Sequence, residues 1–450
     1  MKGNIAIVGA GLVGSLLSIY LARRGYKVSL YERRNDMRTD SNDVGRSINL
    51  ALSNRGLRAL NEVGLEETLR AVAIPMHGRT MHDHQGNLSY LPYGKEGQYI
   101  NSISRSGLNI VLMNEAERAG VKILFEEKIE HIDLNKTQIT VRSQPVSFDQ
   151  IIGADGAFSL VRGAMQITER YDYQQSYIEH GYKELTIPAG KDGSFQLEKN
   201  SLHIWPRESF MLIALPNPDG SFTCTLFFAY DGPKSFASLN SEKAIQDFFN
   251  EVFPDAAAKI PNLVMEFKKN PTGSLVTVKC YPWVRGNTFL IGDAAHAIVP
   301  FYGQGMNAGF EDCRVLNELL DKHRDDWKKT TAEFQQMRKP DSDAIAQLAL
   351  DNFIEMRDLV GDPDFLLRKK IEAKINSLYP DKWIPLYSMV TFHENIRYSD
   401  ALRIGRAQKK IMDEVMANPA IATTWENLDF GKLADKLELG IGGQALGIGN

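Results

Sequence analysis

"NIAIVGAGLVGSLLSIYLARRGYKVSLYERR", Asn4 to Arg34, decides the fold. No charged residue falls between Gly3 and Ala22. The stretch therefore has three readings: a membrane anchor, a secretory signal, or the start of a soluble nucleotide-binding fold. Gly9, Gly11 and Gly14 interrupt the apolar run, and "IAIV" lasts only four residues before the first of them. A signal peptide needs a basic head and a small-residue cleavage site. Lys2 alone is a poor head and "YLARRGYK" a poor cleavage region. The soluble reading is the one the residues favour. "IAIV" reads as a buried parallel strand, "SLLSIYLARRG" as a helix stopped by Gly25, and "KVSLYE" as a second strand.

This is a β-α-β unit with G-x-G-x-x-G at its first turn. Gly9 makes the tight turn. Gly11 lets the backbone approach a pyrophosphate, which rests on the free N–H groups of the helix N-terminus. Gly14 lets helix and strand pack closely. Glu32 ends the second strand, where a carboxylate can accept both hydroxyls of an adenosine ribose. It would repel a 2′-phosphate, so FAD or NAD fits this site better than NADP. Arg33 and Arg34 follow beside the ribose.

The rest of the composition is that of an ordinary soluble protein. The 450 residues are 43% hydrophobic and 24% charged, with 52 basic against 56 acidic residues and a net charge of -4. Nothing there points to nucleic acid. No run of 18 or more apolar residues follows. Cys224, Cys280 and Cys313 are scattered, which gives neither a disulfide framework nor a metal cluster and suits a reducing compartment. The length suggests two or three domains.

Two later segments separate FAD from NAD. "DQIIGADGAFSLVR" (Asp149 to Arg162) is a short strand ending in Asp155-Gly156, then a helix. "NTFLIGDAAHAIVPFYGQGMNAGFEDC" (Asn287 to Cys313) holds a strand ending on Asp293, then a glycine-rich turn opening a helix. The N–H groups of Gly305, Met306 and Asn307 can face a polar ring edge. Three strand ends aimed at one extended ligand suit FAD.

These three segments, in this order, resemble the dinucleotide fingerprint, "DG" motif and "GD" motif of the single-component flavin aromatic hydroxylases. The resemblance runs through nearly all of residues 3 to 400 and narrows to the branch acting on L-kynurenine. "GRSINLALSNRGLRAL" (Gly45 to Leu60), "IEHGYKELTIP" (Ile178 to Pro188), "LHIWPR" (Leu202 to Arg207), "FTCTLF" (Phe222 to Phe227) and "IPLYSMVTF" (Ile384 to Phe392) carry that closer match. The resemblance implies an α/β fold: a Rossmann-like FAD-binding domain, an inserted antiparallel β-sheet substrate domain and a C-terminal helical region. We place the FAD domain at 1–75, 103–170 and 271–335, the substrate sheet at 76–102 and 171–270, and the helical region at 336–450.

The resemblance also implies FAD contacts at Gly9, Gly11, Val13, Gly14, Glu32, Arg33, Arg34, Ala51, Arg105, Ile129, Asp293, Met306 and Asn307. Ala51 and Ile129 read from sequence alone as core. Substrate contacts fall on Arg79 and Tyr93, with Asn352 and Tyr387 from the C-terminal helices. An arginine fork suits the amino-acid carboxylate of such a substrate. Asn352 stands in a helical stretch where asparagine is a poor helix former. Met356 shares its face and lines pocket or core. Pro300, Phe301 and Tyr302 shape the ring pocket.

The implied reaction is hydroxylation of L-kynurenine to 3-hydroxy-L-kynurenine with NADPH and O2, through a flavin hydroperoxide. No catalytic acid or base is assigned, and His296 reads as a structural histidine. No metal site is expected, since the His82/His84 pair alternates on a strand without further ligands. There is no second G-x-G-x-x-G for a separate NADPH domain. Animal members of the family end in a membrane-anchoring segment. Here "RIGRAQKKIMDEVMANP" reads as a polar or amphipathic helix and "LGIGGQALGIGN" as a flexible end, so a cytoplasmic monomer or homodimer without a stable membrane anchor is expected. Two other readings stay open at this point: a flavin hydroxylase of another aromatic acid, and a non-catalytic binder on the same fold.

Overall fold

The computed structural model describes residues 2–39, 49–356 and 362–440. Asn4–Val8 lies inside a six-stranded sheet. Its order is Val284–Arg285, Thr288–Leu290, Gln150–Gly153, Asn4–Val8, Lys27–Tyr31, Lys122–Leu124. Every pair is parallel except the Val284–Arg285 edge. A central parallel strand is covered on both faces, so Ile5, Ala6 and Ile7 are fully buried and the run shows no polar alternation. The helix Leu12–Arg23 follows, and Gly25 with φ +88° turns the chain into the next strand.

A second sheet has seven strands. Its order is Gly273–Tyr281, Asp172–Ile187, Phe222–Ala229, Phe210–Pro216, Ser201–Arg207, Gly78–His82, Leu88–Pro92. All its pairs are antiparallel except the join of Ser201–Arg207 to Gly78–His82. Side chains alternate between its faces with period two. Phe210, Leu212 and Ala214 pack with Ile245, Phe249 and Phe267 of the helices Glu242–Val252 and Leu263–Lys269. Met211, Ile213 and Leu215 point the other way, toward the cores that hold Phe301, Tyr302 and Tyr93.

Two boundaries in the sequence division need correction. Gly273–Tyr281 does not join the FAD-domain sheet. It pairs along Asp172–Ile187, with Tyr281 opposite Asp172 and Gly273 opposite Tyr182. The alternation in "GSLVTVKCY" marks a strand but not its partner. Ile100–Ser104 straddles the boundary at 102/103, pairing with Asn49–Leu52 and Ile74–Met76 in a small sheet of its own.

The C-terminal part is helical: Trp327–Ile354, Pro363–Leu378, Leu386–Thr391, Tyr398–Met416 and Phe430–Gly440. Ile371, Ile375, Met389, Ile404 and Met412 form its core together with Phe301 and Phe353. Most of the "LGIGGQALGIGN" tail, and residues 45–48 of the "GRSINLALSNRGLRAL" segment, lie outside the described residues. Among the described residues no helix is long and apolar enough to cross a membrane.

A buried charge cluster ties these parts together. Glu311 and Asp312 stand on the helix Gly305–Lys322. Arg55, on the helix Asn54–Glu62, lies 2.7 Å from Glu311. Arg338, on Trp327–Ile354, lies 2.7 Å from both Glu311 and Asp312 and 3.3 Å from Asp341. Burial by itself would raise the Glu311 and Asp312 carboxyls. The guanidinium groups, and His296 for Asp312, outweigh it and hold both below their ordinary range. Removing one member leaves the others buried and unpaired. Arg338→Met is expected to cost about 3–5 kcal/mol, read as a lower urea midpoint; a loss under about 1 kcal/mol, the scale of a surface pair, would mean that the cluster is not structural.

Candidate active site

The dinucleotide turn is shaped by what it cannot hold. A Cβ on Gly14 would stand 2.0 Å from the Gly9 carbonyl oxygen, and one on Gly9 would stand 2.6 Å from the Ala154 oxygen. The glycine turn is thus pressed against the strand end that carries Asp155. Gly11 has open space where its Cβ would be, at the N-cap of Leu12–Arg23, which no side chain caps. That leaves backbone N–H groups facing a vacant approach, which suits a pyrophosphate.

Val13 joins the third segment. A Cβ on Gly292 would meet the Val13 side chain at 3.1 Å, and one on Gly309 at 2.6 Å. The three strand ends therefore converge around the first turn of one helix.

Glu32 is buried. Its carboxylate accepts from Ala10 N at 3.1 Å and from Arg34 N and Nε at 3.0 and 2.9 Å. Burial would raise this carboxyl, but Arg34 and the backbone donors bring it below the usual value. Arg33 is exposed next to it. Ile129 is buried in the main core, and the segment before it runs beside the ribose end, with Glu126 N and Glu127 N bonded to the Arg34 and Glu32 carbonyls.

At the other end, Asp293 opens the short helix Asp293–His296 after Gly292, whose φ is +60°. Its surface is accessible to solvent, yet it stands deep among protein atoms. That desolvation raises its carboxyl, against the pull of Arg105 and His296. Accessible and deep together describe the floor of a cleft. Arg105 begins the helix Arg105–Arg118, within electrostatic reach of Asp293 and also of Tyr182 and Glu184. The first N–H groups of Gly305–Lys322, those of Gly305, Met306 and Asn307, have no intrahelical acceptor.

Two motif side chains are spent on contacts within the protein. The Asp155 carboxylate is occupied by Ser159 Oγ and by Leu160 N at 2.7 Å, so it caps the following helix. The Asn307 side chain is fully spent within the protein. Its Oδ1 accepts from Ser53 N at 2.9 Å, and its Nδ2 donates to the Ala51 and Gly303 carbonyls at 2.9 and 2.8 Å. Only its main chain is left to face a ligand, and the Ala51 carbonyl is held by the same amide.

Arg79, expected from the sequence to meet the substrate, stands on the strand Gly78–His82. Its guanidinium lies 4.6 Å from the Tyr387 ring centroid and 5.1 Å from that of Tyr93. Those two rings stack on each other at 5.3 Å, and Tyr302 also stacks on Tyr387, at 5.6 Å. Arg79 Nε and the Tyr93 hydroxyl are buried and make no hydrogen bond of good geometry. Asn352 joins through the backbone: its Nδ2 donates to the Phe301 carbonyl at 2.7 Å and lies 3.2 Å from Met356 Sδ. Phe301 stacks on Phe353 at 4.2 Å.

A family model for an FAD binding domain matches residues 2–333. The chain is 51% identical over 431 residues to a kynurenine 3-monooxygenase of Christiangramia forsetii, covering 94% of this chain and 96% of that one. It is 50% identical to the protein of the same name from Myxococcus xanthus, over 92% of this chain and 91% of that one. For the Dictyostelium discoideum protein of that name the figures are 44%, 92% and 93%. The chain belongs to the kynurenine 3-monooxygenase family. Among solved structures, 2-methyl-3-hydroxypyridine-5-carboxylic acid oxygenase superposes with a TM-score of 0.66 at 20% identity, over 80% of this chain and 94% of that one, a likeness of fold.

As a member of the kynurenine 3-monooxygenase family the chain is a flavoprotein monooxygenase, with FAD as its cofactor. The geometry fits that group: an open glycine turn for the pyrophosphate, a buried acid at the ribose end and an acid on the cleft floor. The sequence reading named Phe301 and Tyr302 but not the sheet residues that pack in the same cores. Met211, Ile213, Leu215 and Phe227 lie in the cores that hold Phe301, Tyr302 and Tyr93. Alternation within "FMLIALP" was the available signal, but both of its faces are apolar. His296 is bound by Asp312, 2.6 Å from its Nε2, as part of the charge cluster. If Asp293 holds the flavin chain, Asp293→Ala lowers the flavin-to-protein absorbance ratio of the purified enzyme; a full complement of FAD would place that role elsewhere.

Proposed function

We propose that this chain hydroxylates the aromatic ring of L-kynurenine beside its amino group, giving 3-hydroxy-L-kynurenine and water, with NADPH and O2 as co-substrates. The observation that carries the substrate reading is the pair of buried polar atoms Arg79 Nε and Tyr93 Oη, neither of which makes a hydrogen bond of good geometry. A buried polar group left without a partner costs about 1–3 kcal/mol. Two such groups side by side, one cationic, describe a socket for a carboxylate. The α-amino-acid end of kynurenine supplies one. The resemblance of the relatives named above agrees with this choice.

The oxidation chemistry is the flavin's, carrying electrons from NADPH to O2. The protein's residues do the rest. Arg79 fixes the carboxylate, and the stacked Tyr93 and Tyr387 keep its guanidinium from swinging. Asn352 keeps its Oδ1 for the polar end of the substrate, because its Nδ2 is held by Phe301. The aniline ring then lies against Met211, Ile213 and Phe227, where water is excluded and the reactive oxygen is not wasted. The ring amine makes the neighbouring carbon electron-rich, so no protein base has to activate it.

NADPH oxidation measured with and without L-kynurenine, with the product identified by mass, tests the reaction. Stimulation by 4-hydroxybenzoate but not by kynurenine would replace the substrate. Arg79→Ala is expected to weaken kynurenine binding by about 1.5–3 kcal/mol with FAD still bound. Unchanged affinity would remove Arg79 from the site.

A further inference from the structure

The strand that carries Arg79 is joined to the main sheet by one seam, its parallel pairing with Ser201–Arg207: Gly78 opposite Ser201, Arg79 opposite Leu202, Thr80 opposite His203. Its other neighbour, Leu88–Pro92, is an exposed edge. On the face opposite Arg79 the seam is polar. Thr80 Oγ1 and Ser201 Oγ lie 2.7 Å apart. His82 Nε2 and His203 Nδ1 lie 2.9 Å apart, and both rings are buried. His82 continues through Nδ1 to Asp255 Oδ2 at 2.7 Å, and His203 through Nε2 to the Glu198 carbonyl at 2.9 Å. Trp205 stacks on His82 at 3.9 Å and donates its Nε1–H to Asp255 at 2.9 Å.

The protons in this chain can be counted. The Glu198 carbonyl only accepts, so His203 Nε2 carries hydrogen. The contact between the two rings needs one hydrogen, and so does the contact with Asp255. Three contacts need three protons, and a carboxylate with two neutral imidazoles holds two. With Asp255 ionised, the arrangement closes only when one ring is an imidazolium.

We propose that His82, His203 and Asp255 are positioning residues for Arg79: a latch, closed by one extra proton, that pins the strand of the carboxylate clamp to the sheet. This rests on the reading of Arg79 given above. The extra hydrogen is assigned by geometry to the ring that sits between the other ring and the carboxylate, His82, 2.7 Å from Asp255 and 2.9 Å from His203. Burial drives His203 down to about 4, so that ring stays neutral. Burial would raise Asp255, but the contacts with His82 and Trp205 outweigh it and keep its carboxyl low and charged. The other charges facing the pair are few. Arg207 donates to the His82 and Asp83 carbonyls at 3.0 and 3.1 Å; Asp83 and Asp255 stand within its electrostatic reach, and Glu198 within that of His203. When the extra proton leaves, one contact must set two lone pairs against each other. The seam then loosens three residues from Arg79.

The test uses the FAD-loaded enzyme, with KM for kynurenine and kcat measured from about pH 6 to pH 9, the range around histidine titration. KM of the wild type rises with pH, at most about tenfold per pH unit, the limit for one proton. In Asp255→Asn the amide oxygen accepts from Trp205 and the amide N–H donates to His82 Nδ1. All three contacts are then met with two neutral rings, so KM stays flat near the wild-type acidic value. kcat and FAD content do not separate the two enzymes. Both are assayed on one substrate, so its own ionisation cancels in their ratio. A constant ratio of the two KM values across the range overturns the latch, as does a difference that appears in kcat or FAD content and not in KM. Should Asp255→Asn fail to fold, histidine-selective 15N NMR of the wild type reads the same claim: three ring N–H protons on the pair at the acidic end, and two throughout if the latch is wrong. Unchanged KM in Arg79→Ala removes the clamp itself. A weakened Arg79→Ala with parallel profiles for the other two enzymes removes only the latch.

Discussion

The structure hangs on a close approach that tolerates no side chain. The Gly14 α-carbon faces the Gly9 carbonyl so tightly that a Cβ there would stand 2.0 Å from it. Gly9 in turn presses on the Ala154–Asp155 backbone, and Val13 fills the space left by Gly292 and Gly309. Three strand ends, about 140 residues apart in sequence from one to the next, meet around one helical turn for this reason. What remains open beside them is the bed of an extended dinucleotide. Substituting any of these glycines would push apart the segments whose N–H groups and acids must face one ligand.

The second constraint is electrostatic. Helix Gly305–Lys322 presents its N-terminal N–H groups to the flavin cleft, while Glu311 and Asp312, farther along it, are held by Arg55 and Arg338. Arg55 also reaches the Met389, Val390, His393 and Ile396 carbonyls. One cluster thus fixes the flavin-facing helix, the helix after Ser53 and the turn beyond Tyr387 relative to each other. The helix Gly305–Lys322 and the segment that follows Tyr387 are set by the same charges. Such a cluster adds little net stability when intact, because desolvation offsets attraction. Its use here is to fix one arrangement of three elements.

The two faces of the seven-stranded sheet divide the remaining labour. One face packs on helices and carries the His82–His203–Asp255 chain. The other presents Met211, Ile213 and Leu215 and carries Arg79 against Tyr93 and Tyr387. Period-two alternation makes this possible: Arg79 and Thr80 are neighbours in sequence and stand on opposite sides of the sheet. Chemistry on the packed face can thereby reach the pocket through a single strand.

Local pattern made much of this legible. The glycine spacing, the acid at the end of the second strand and the "GD" turn are short-range features, because backbone conformation and close packing depend on the residues within one turn. The sequence by itself determined the cofactor class, the strand–helix–strand opening and the glycines that permit them. It did not determine which sheet Gly273–Tyr281 would join, nor that Asp155 would cap a helix, nor that Asn307 would spend its amide inside the protein. It gave no sign that Arg55 and Arg338 would share Glu311, 256 residues from Arg55 in the chain. Those outcomes depend on which groups are left unpaired once distant segments meet. A buried donor or charge takes the partner that tertiary structure brings within reach, and that partner has no fixed spacing along the chain.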